Sequence, residues 1–182
     1  FQHRRGPDSQ AIREVRIGSV QVTFGHNRLA IIDPTSKADQ PMVTDDEQSM
    51  LVFNGAIYNY KELRAELEAC GVRFKTSSDT EVLLASYRQW GEASFERFFG
   101  MFAFAIHDAE RNRMYLVRDR FGVKPLHYWL DGAQMAFAST ANTIAQNAQL
   151  EPNLEYVTRG IQFKYYEDET ELSPFHRVLS VP

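Results

Sequence analysis

The chain changes its hydrophobic period twice, and this limits its fold more than any other feature. Between Tyr60 and Phe98 apolar residues recur at helical spacing; on either side they come in strand-length pieces. Tyr60 to Cys70 reads as a helix with Tyr60, Leu63 and Leu67 on one face, and Gly71 is placed to end it. Ser78 and Glu81 have the capping-box spacing. They start a second helix in which Val82, Leu83, Ser86, Tyr87 and Trp90 share a face. A third short helix covers Ala93 to Phe98. Upstream, Ser19 to Phe24 alternates and Gly25 to Asp33 continues as a strand. Pro34 to Pro41 is a loop, and Thr44 to Ser49 is a charged hairpin tip, a solvated turn rather than a metal site. Met50 to Phe53 is the strand leading into Asn54-Gly55. Downstream, Met101 to His107 pairs with Met114 to Val117 through a turn at Arg111-Asn112-Arg113. His127 to Leu130 pairs with Gln134 to Ala138 across Asp131-Gly132. Thr140 to Asn147 is a short helix, and the last thirty residues read as an extended, partly strand-like tail. Hairpins before and after a helical pair give an α+β class with helices packed on largely antiparallel sheets.

Composition removes several function classes. The 182 residues carry a net charge of −4, which argues against a general nucleic-acid binder. No apolar run approaches the roughly 18 residues of a membrane span, and the N-terminus lacks the apolar core of a signal peptide. The one cysteine, Cys70, excludes an internal disulfide framework and fits a reducing, cytoplasmic compartment. Cys70 reads as a packing residue at a helix end. The five histidines show no metal-ligand spacing.

Asn54-Gly55 carries the chemistry. After a strand, this dipeptide signals a turn, because both residues tolerate positive φ. It also sets an amide side chain beside an exposed backbone N–H, a pair able to hold negative charge developing on a carbonyl oxygen.

Six ordered segments extend this: Arg5-Gly6-Pro7-Asp8, then GHNRLAIID from Gly25, NGAIYNY from Asn54, SSDTEVLL from Ser77, GMFAFAIHD from Gly100 and RDRFGVKPLHYW from Arg118. Together they closely resemble the glutaminase domain of class II glutamine amidotransferases, with the asparagine synthetase type the nearest pattern. The resemblance implies an N-terminal-nucleophile hydrolase-like four-layer sandwich, with two antiparallel sheets between helical layers. It implies residues 1–150 as the amidotransferase-like domain and 151–182 as a tail leading towards a synthetase domain. The implied chemistry is attack on the glutamine side-chain amide by an N-terminal cysteine whose α-amine serves as base. Ammonia would pass to an ATP-dependent amide-forming domain, beyond Pro182 or on a partner chain. On the matched motifs, Asn54 and Gly55 become the oxyanion hole. Arg28 becomes the clamp for the substrate α-carboxylate, and Asp79 the partner of its α-ammonium, compatible with a helix N-cap. Arg118 and Asp119 are expected to hold a loop or interface. No cofactor is expected in this domain; ATP and Mg belong to the synthetase domain. Homodimerisation is an open expectation.

Three departures qualify the resemblance. The family's Cys-Gly start is not in the sequence, which begins at Phe1, so the chain by itself is expected to be inactive. Ala56 stands where the family has Glu in NGEIYN, a contact to the substrate ammonium worth roughly 1.5–3 kcal/mol. His3-Arg4 and Thr140 also differ from the usual residues. Two functions therefore compete. One is a glutaminase domain of an asparagine synthetase-like protein whose first segment is removed by processing or truncation. The other is a degenerate, non-hydrolytic scaffold or binding domain, as in relatives of β-lactam synthetase or lasso-peptide cyclase.

Overall fold

The computed structural model describes residues 6–17, 20–163 and 171–182. Contacts divide the chain between Asp119 and Arg120 into two compact units.

The first unit opens with an antiparallel ribbon of β1 (Ser9–Ile17) and β2 (Val20–Arg28), paired from Ile17 with Val20 to Ser9 with Arg28. The alternation expected from Ser19 holds along its described part, with Val22 and Phe24 buried. The strand stops at Arg28 and does not run to Asp33. Beyond it the chain bends around the Arg28 guanidinium, leaving Leu29 and Ile31 exposed. β1 escaped the sequence pattern because Arg13, Glu14 and Arg16 interrupt its apolar residues.

A four-stranded antiparallel sheet follows, in the order β3 (Met42–Val43), β4 (Ser49–Ile57), β5 (Gly100–Asp108), β6 (Arg113–Arg118). The helices α1 (Tyr60–Ala69) and α2 (Asp79–Trp90) come from the connection between β4 and β5. The period-two rule decides what they cover. Leu51, Phe53 and Ile57 of β4 join Phe102, Phe104 and Ile106 of β5 in one cluster with Leu63, Leu67, Val82, Leu83 and Tyr87 of the helices. The expected third helix is a 3₁₀ segment, Gly91–Arg97. Cys70 is exposed at the C-cap of α1, so it does not pack as expected; Leu67, three residues earlier, fills the core instead. The charged tip at Thr44 to Ser49 is held by hydrogen bonds of its own and by Arg88 on Asp46 at 2.7 Å.

Asn54-Gly55 makes no turn. β4 continues to Ile57, and Gly55 lies opposite Phe102. A Cβ on Gly55 would sit 2.2 Å from the Met101 carbonyl oxygen, and its φ is +155°. Glycine is needed here so that two strands can approach closely, not so that one strand can reverse.

The second unit holds β7 (His127–Asp131), β8 (Gln134–Ala138), α3 (Ala141–Ala148), α4 (Leu154–Phe163) and β9 (Val178–Ser180), with strand order β8-β7-β9. Trp129, Ala141, Ile144 and Val178 form its core. The tail expected to be extended therefore contains a helix before its final strand, with Leu154, Val157 and Ile161 at helical spacing.

Candidate active site

Alternation along β4 builds the centre of the site. Phe53 N–H donates to Gln40 Oε1 at 2.6 Å, and Ile57 N–H donates to Asp79 Oδ2 at 3.0 Å. Both groups point away from β5. Gly55 lies midway between them, and N–H direction alternates along a strand, so its N–H points the same way. Phe102, opposite, agrees: its N–H and C=O turn instead to Asp119, at 3.1 and 2.8 Å. Among the described residues none accepts the Gly55 N–H. The Asn54 side chain makes no hydrogen bond within the described residues either. By the same alternation Asn54 and Ala56 share the face opposite the α1–α2 core.

Around this open donor the neighbours are tied down. His26 Nε2 donates to the Phe53 carbonyl at 3.1 Å, so the ring carries its proton there and Nδ1 is left buried without a partner. Burial, more than the nearby Arg28 charge, holds the imidazole below its usual pKa and neutral. Buried Gln40 accepts the Phe53 N–H, so both backbone polar groups of Phe53 are held.

Arg28, buried at the end of β2, donates from Nη1 to Thr35 O at 2.9 Å and Asp39 Oδ1 at 2.8 Å, and from Nη2 to Asp33 O. Three of its five donors are thereby committed to the loop. Among the described residues none accepts from Nε–H or from the second Nη2 hydrogen, which leaves two donors for a carboxylate.

Asp79 is the first residue of α2, but the N-cap is Ser78, whose hydroxyl accepts the Glu81 N–H at 3.2 Å. The reciprocal half of the capping box does not form. Glu81 instead accepts from Lys75 N–H, Thr76 N–H and the Thr76 hydroxyl. Asp79 is therefore not the N-cap, and its carboxylate reaches β4. Burial raises its carboxyl pKa above the usual range, against the lowering effect of the Ile57, Asp79 and Thr80 N–H groups.

Asp33 does the opposite. Its buried carboxylate accepts from Thr35 N–H and hydroxyl at 2.9 and 2.6 Å, and from Ser77 N–H and hydroxyl at 2.8 and 3.1 Å. The Thr35 hydroxyl leads the four donors in pushing its pKa far below the ordinary carboxylate value.

Arg28, Asn54, Gly55, Ala56 and Asp79, all selected from motifs, therefore fall on β2, β4 and α2 around one strand edge. Arg5 lies outside the described residues. Asp119 extends the pairing of β6 with β5, and Arg118 is the last residue of β6. The sequence motifs do not mark His26, Asp33 or Gln40 as site residues. The first two sit inside the GHNRLAIID segment, where a polar residue among apolar ones was the available signal; Gln40 in its loop gave none.

A family model described as a glutamine amidotransferase domain matches residues 1–182. The chain belongs to that family. The amidotransferase domain is 42% identical over 170 residues to asparagine synthetase [glutamine-hydrolyzing] 1 of Bacillus subtilis (strain 168), covering 92% of this chain and 26% of that protein. It is 35% identical over 147 residues to asparagine synthetase [glutamine-hydrolyzing] 2 of Oryza sativa subsp. japonica, covering 80% of this chain and 24% of the relative. The chain thus spans about a quarter of the length of these relatives. Among solved structures it resembles a glutamine phosphoribosylpyrophosphate amidotransferase from B. subtilis complexed with ADP and GMP. The TM-score is 0.55 and the identity 29%, over 64% of this chain and 27% of that one. The likeness to amidotransferases, with antiparallel sheets and helices, bears out the α+β, N-terminal-nucleophile class.

Proposed function

We propose that this domain binds L-glutamine and serves its hydrolysis to glutamate, supplying ammonia to an ATP-dependent amide-forming domain of an asparagine synthetase-like protein. The observation that carries this is the Gly55 N–H on the β4 edge, which no described residue accepts, flanked by Phe53 and Ile57 backbone groups that Gln40, His26 and Asp79 hold in place. Asn54 Nδ2 and Gly55 N–H are adjacent donors for one oxygen, which is what a tetrahedral intermediate at the glutamine amide requires. Because the backbone on either side of it is pinned, the Gly55 N–H needs little reorganisation when charge develops on that oxygen.

The free edge of the Arg28 guanidinium takes the substrate α-carboxylate, and Asp79 takes the α-ammonium. Glutamine would lie between β2 and the start of α2 with its amide towards Gly55. A cysteine thiolate forms the bond to the amide carbon, and the oxyanion collapses as ammonia leaves with a proton relayed by the cysteine α-amine. An α-amine titrates near roughly 7.7–8, which suits that relay at neutral pH. Water then hydrolyses the thioester. Cys70, exposed at the C-cap of α1, is not the nucleophile in this reading. The tail after Leu150 leads towards the synthetase domain, where ATP and Mg act. A role in a reducing cytoplasm and in asparagine formation fits this reading.

Ala56 favours the second reading, a non-hydrolytic scaffold, since it removes one contact to the ammonium. Asp79 and Arg28 remain to hold the substrate, and the hydrolytic reading is preferred on that ground. The test is glutamate release from L-glutamine by the full-length protein. Turnover supports glutaminase function; absence of both turnover and glutamine binding supports the scaffold.

A further inference from the structure

Arg28 and Asp79 stand on different elements, β2 and α2, far apart in sequence. Something must set the distance between them if they are to select one small zwitterion. Asp33 has the required connections. Its backbone carbonyl accepts from Arg28 Nη2, while its side chain accepts two hydrogen bonds from Ser77, two residues before Asp79. Thr35 contributes to both arms: its N–H and hydroxyl hold the Asp33 carboxylate, and its carbonyl takes Arg28 Nη1 at 2.9 Å. The path continues from Asp79 to the Ile57 N–H and returns along β4 to Phe53, His26 and β2. These hydrogen bonds, with the chain segments Ser77 to Asp79, Ile57 to Phe53 and His26 to Arg28, close a ring that has Gly55 on its β4 side. Asp33 is the only member of that ring that touches both the Arg28 and the Ser77 sides among the described residues. Its carboxylate is buried yet accepts four hydrogen bonds from neutral donors, a dense arrangement for one side chain of a loop.

We propose that Asp33 is a positioning residue that fixes the spacing of the two substrate anchors and so sets selectivity for an α-amino acid that carries a side-chain amide. It touches no substrate; it holds Arg28 through its main chain and the Asp79 turn through its side chain. The proposal rests on Arg28 and Asp79 being the anchors. Its signature differs from simple loop stiffening, because both ends of the substrate lose recognition together.

The experiment compares L-glutamine with 4-aminobutanamide, which lacks the α-carboxylate, and with glutaramic acid, which lacks the α-amine. It uses the full-length protein, reading KM if glutamine is turned over and Kd by calorimetry otherwise. Arg28→Lys is expected to reduce discrimination against 4-aminobutanamide alone, and Asp79→Asn against glutaramic acid alone. Asp33→Asn keeps one acceptor oxygen but turns an NH₂ towards Ser77. It is expected to reduce both ratios and weaken glutamine about tenfold, the lower end of the effect of one lost charge-assisted hydrogen bond, with kcat within about twofold. Wild-type ratios in Asp33→Asn, or loss of only one, overturn the proposal when the two anchor variants behave as stated. Unchanged ratios in both anchor variants, or no glutamine binding by the parent protein, defeat the anchor assignment instead. If Asp33→Asn does not fold, Ser77→Ala and Thr35→Val each remove one hydroxyl donor and retain the peptide N–H. Both are then expected to lower the two ratios about threefold, and wild-type ratios in both overturn the proposal.

Discussion

The two halves of β4 belong to one continuous strand but obey different constraints. Ser49 to Phe53 is buried on both faces, in contact with α1, α2 and β5. Asn54 to Ala56 is only half buried, has no β3 partner, and has at its centre an N–H that no described residue accepts. The first half needs volume and tolerates any well-packed apolar residue of the right shape. The second half needs backbone position, set by Gly55 against Met101 and by polar side chains from three other segments. A strand can thus be a packing element at one end and a catalytic scaffold at the other, with Phe53 as the hinge point: its ring is in the core while its peptide is gripped by His26 and Gln40.

The sharpest way to separate the halves is to damage each in turn. Leu51→Ala empties a fully buried position and is expected to cost about 4 kcal/mol in urea unfolding, with the KM of the remaining folded enzyme unchanged. Gly55→Ala brings a methyl into the Met101 carbonyl and is expected to cost about 3 kcal/mol as the strands part. Unlike the core change it should also abolish glutamate release under conditions where the protein is still folded by circular dichroism. A stable, active Gly55→Ala would show that the close approach of β4 and β5 is dispensable.

Gln40→Ala leaves the Phe53 N–H buried without a partner and is expected to cost about 2 kcal/mol, again by urea unfolding. Asp79→Asn should behave differently. Burial makes the folded chain hold the Asp79 proton more tightly than the unfolded chain, so the ionised carboxylate lowers stability as pH rises from the ordinary value through the raised one. Asparagine carries no such cost and still accepts the Ile57 N–H. The variant is therefore expected to be at least as stable as the parent at pH 7, yet to bind glutamine about thirtyfold more weakly. Equal binding would remove Asp79 from the substrate site. The smallest effect is expected from Ala56→Glu in the full-length protein: the KM for glutamine falls about tenfold, with stability within about 0.5 kcal/mol. An unchanged KM would show that another group already serves the ammonium.

The sequence was most legible where burial and period coincide. α1, α2, β5 and the β7–β8 hairpin stand within a residue or two of their expected bounds, because their apolar spacing is what burial requires. It was least legible where polar groups are paid for by distant partners. β1 carries charges along a ribbon whose outer face is exposed, so no alternation marks it. α4 was hidden by polar neighbours and flanking prolines.

At Asn54-Gly55 local sequence alone determined the residue types that can stabilise an oxyanion, and the ordered motifs determined the family. Local sequence also suggested a turn, since free Asn-Gly favours one. Only the tertiary structure decided that the strand runs straight on, because pairing with β5 and the hydrogen bonds to Gln40 and Asp79 outweigh a local preference of about 1 kcal/mol. The same long-range contacts leave one N–H on that edge without an acceptor among the described residues and tie Asp33 to both Arg28 and Ser77, which no spacing in the chain reveals.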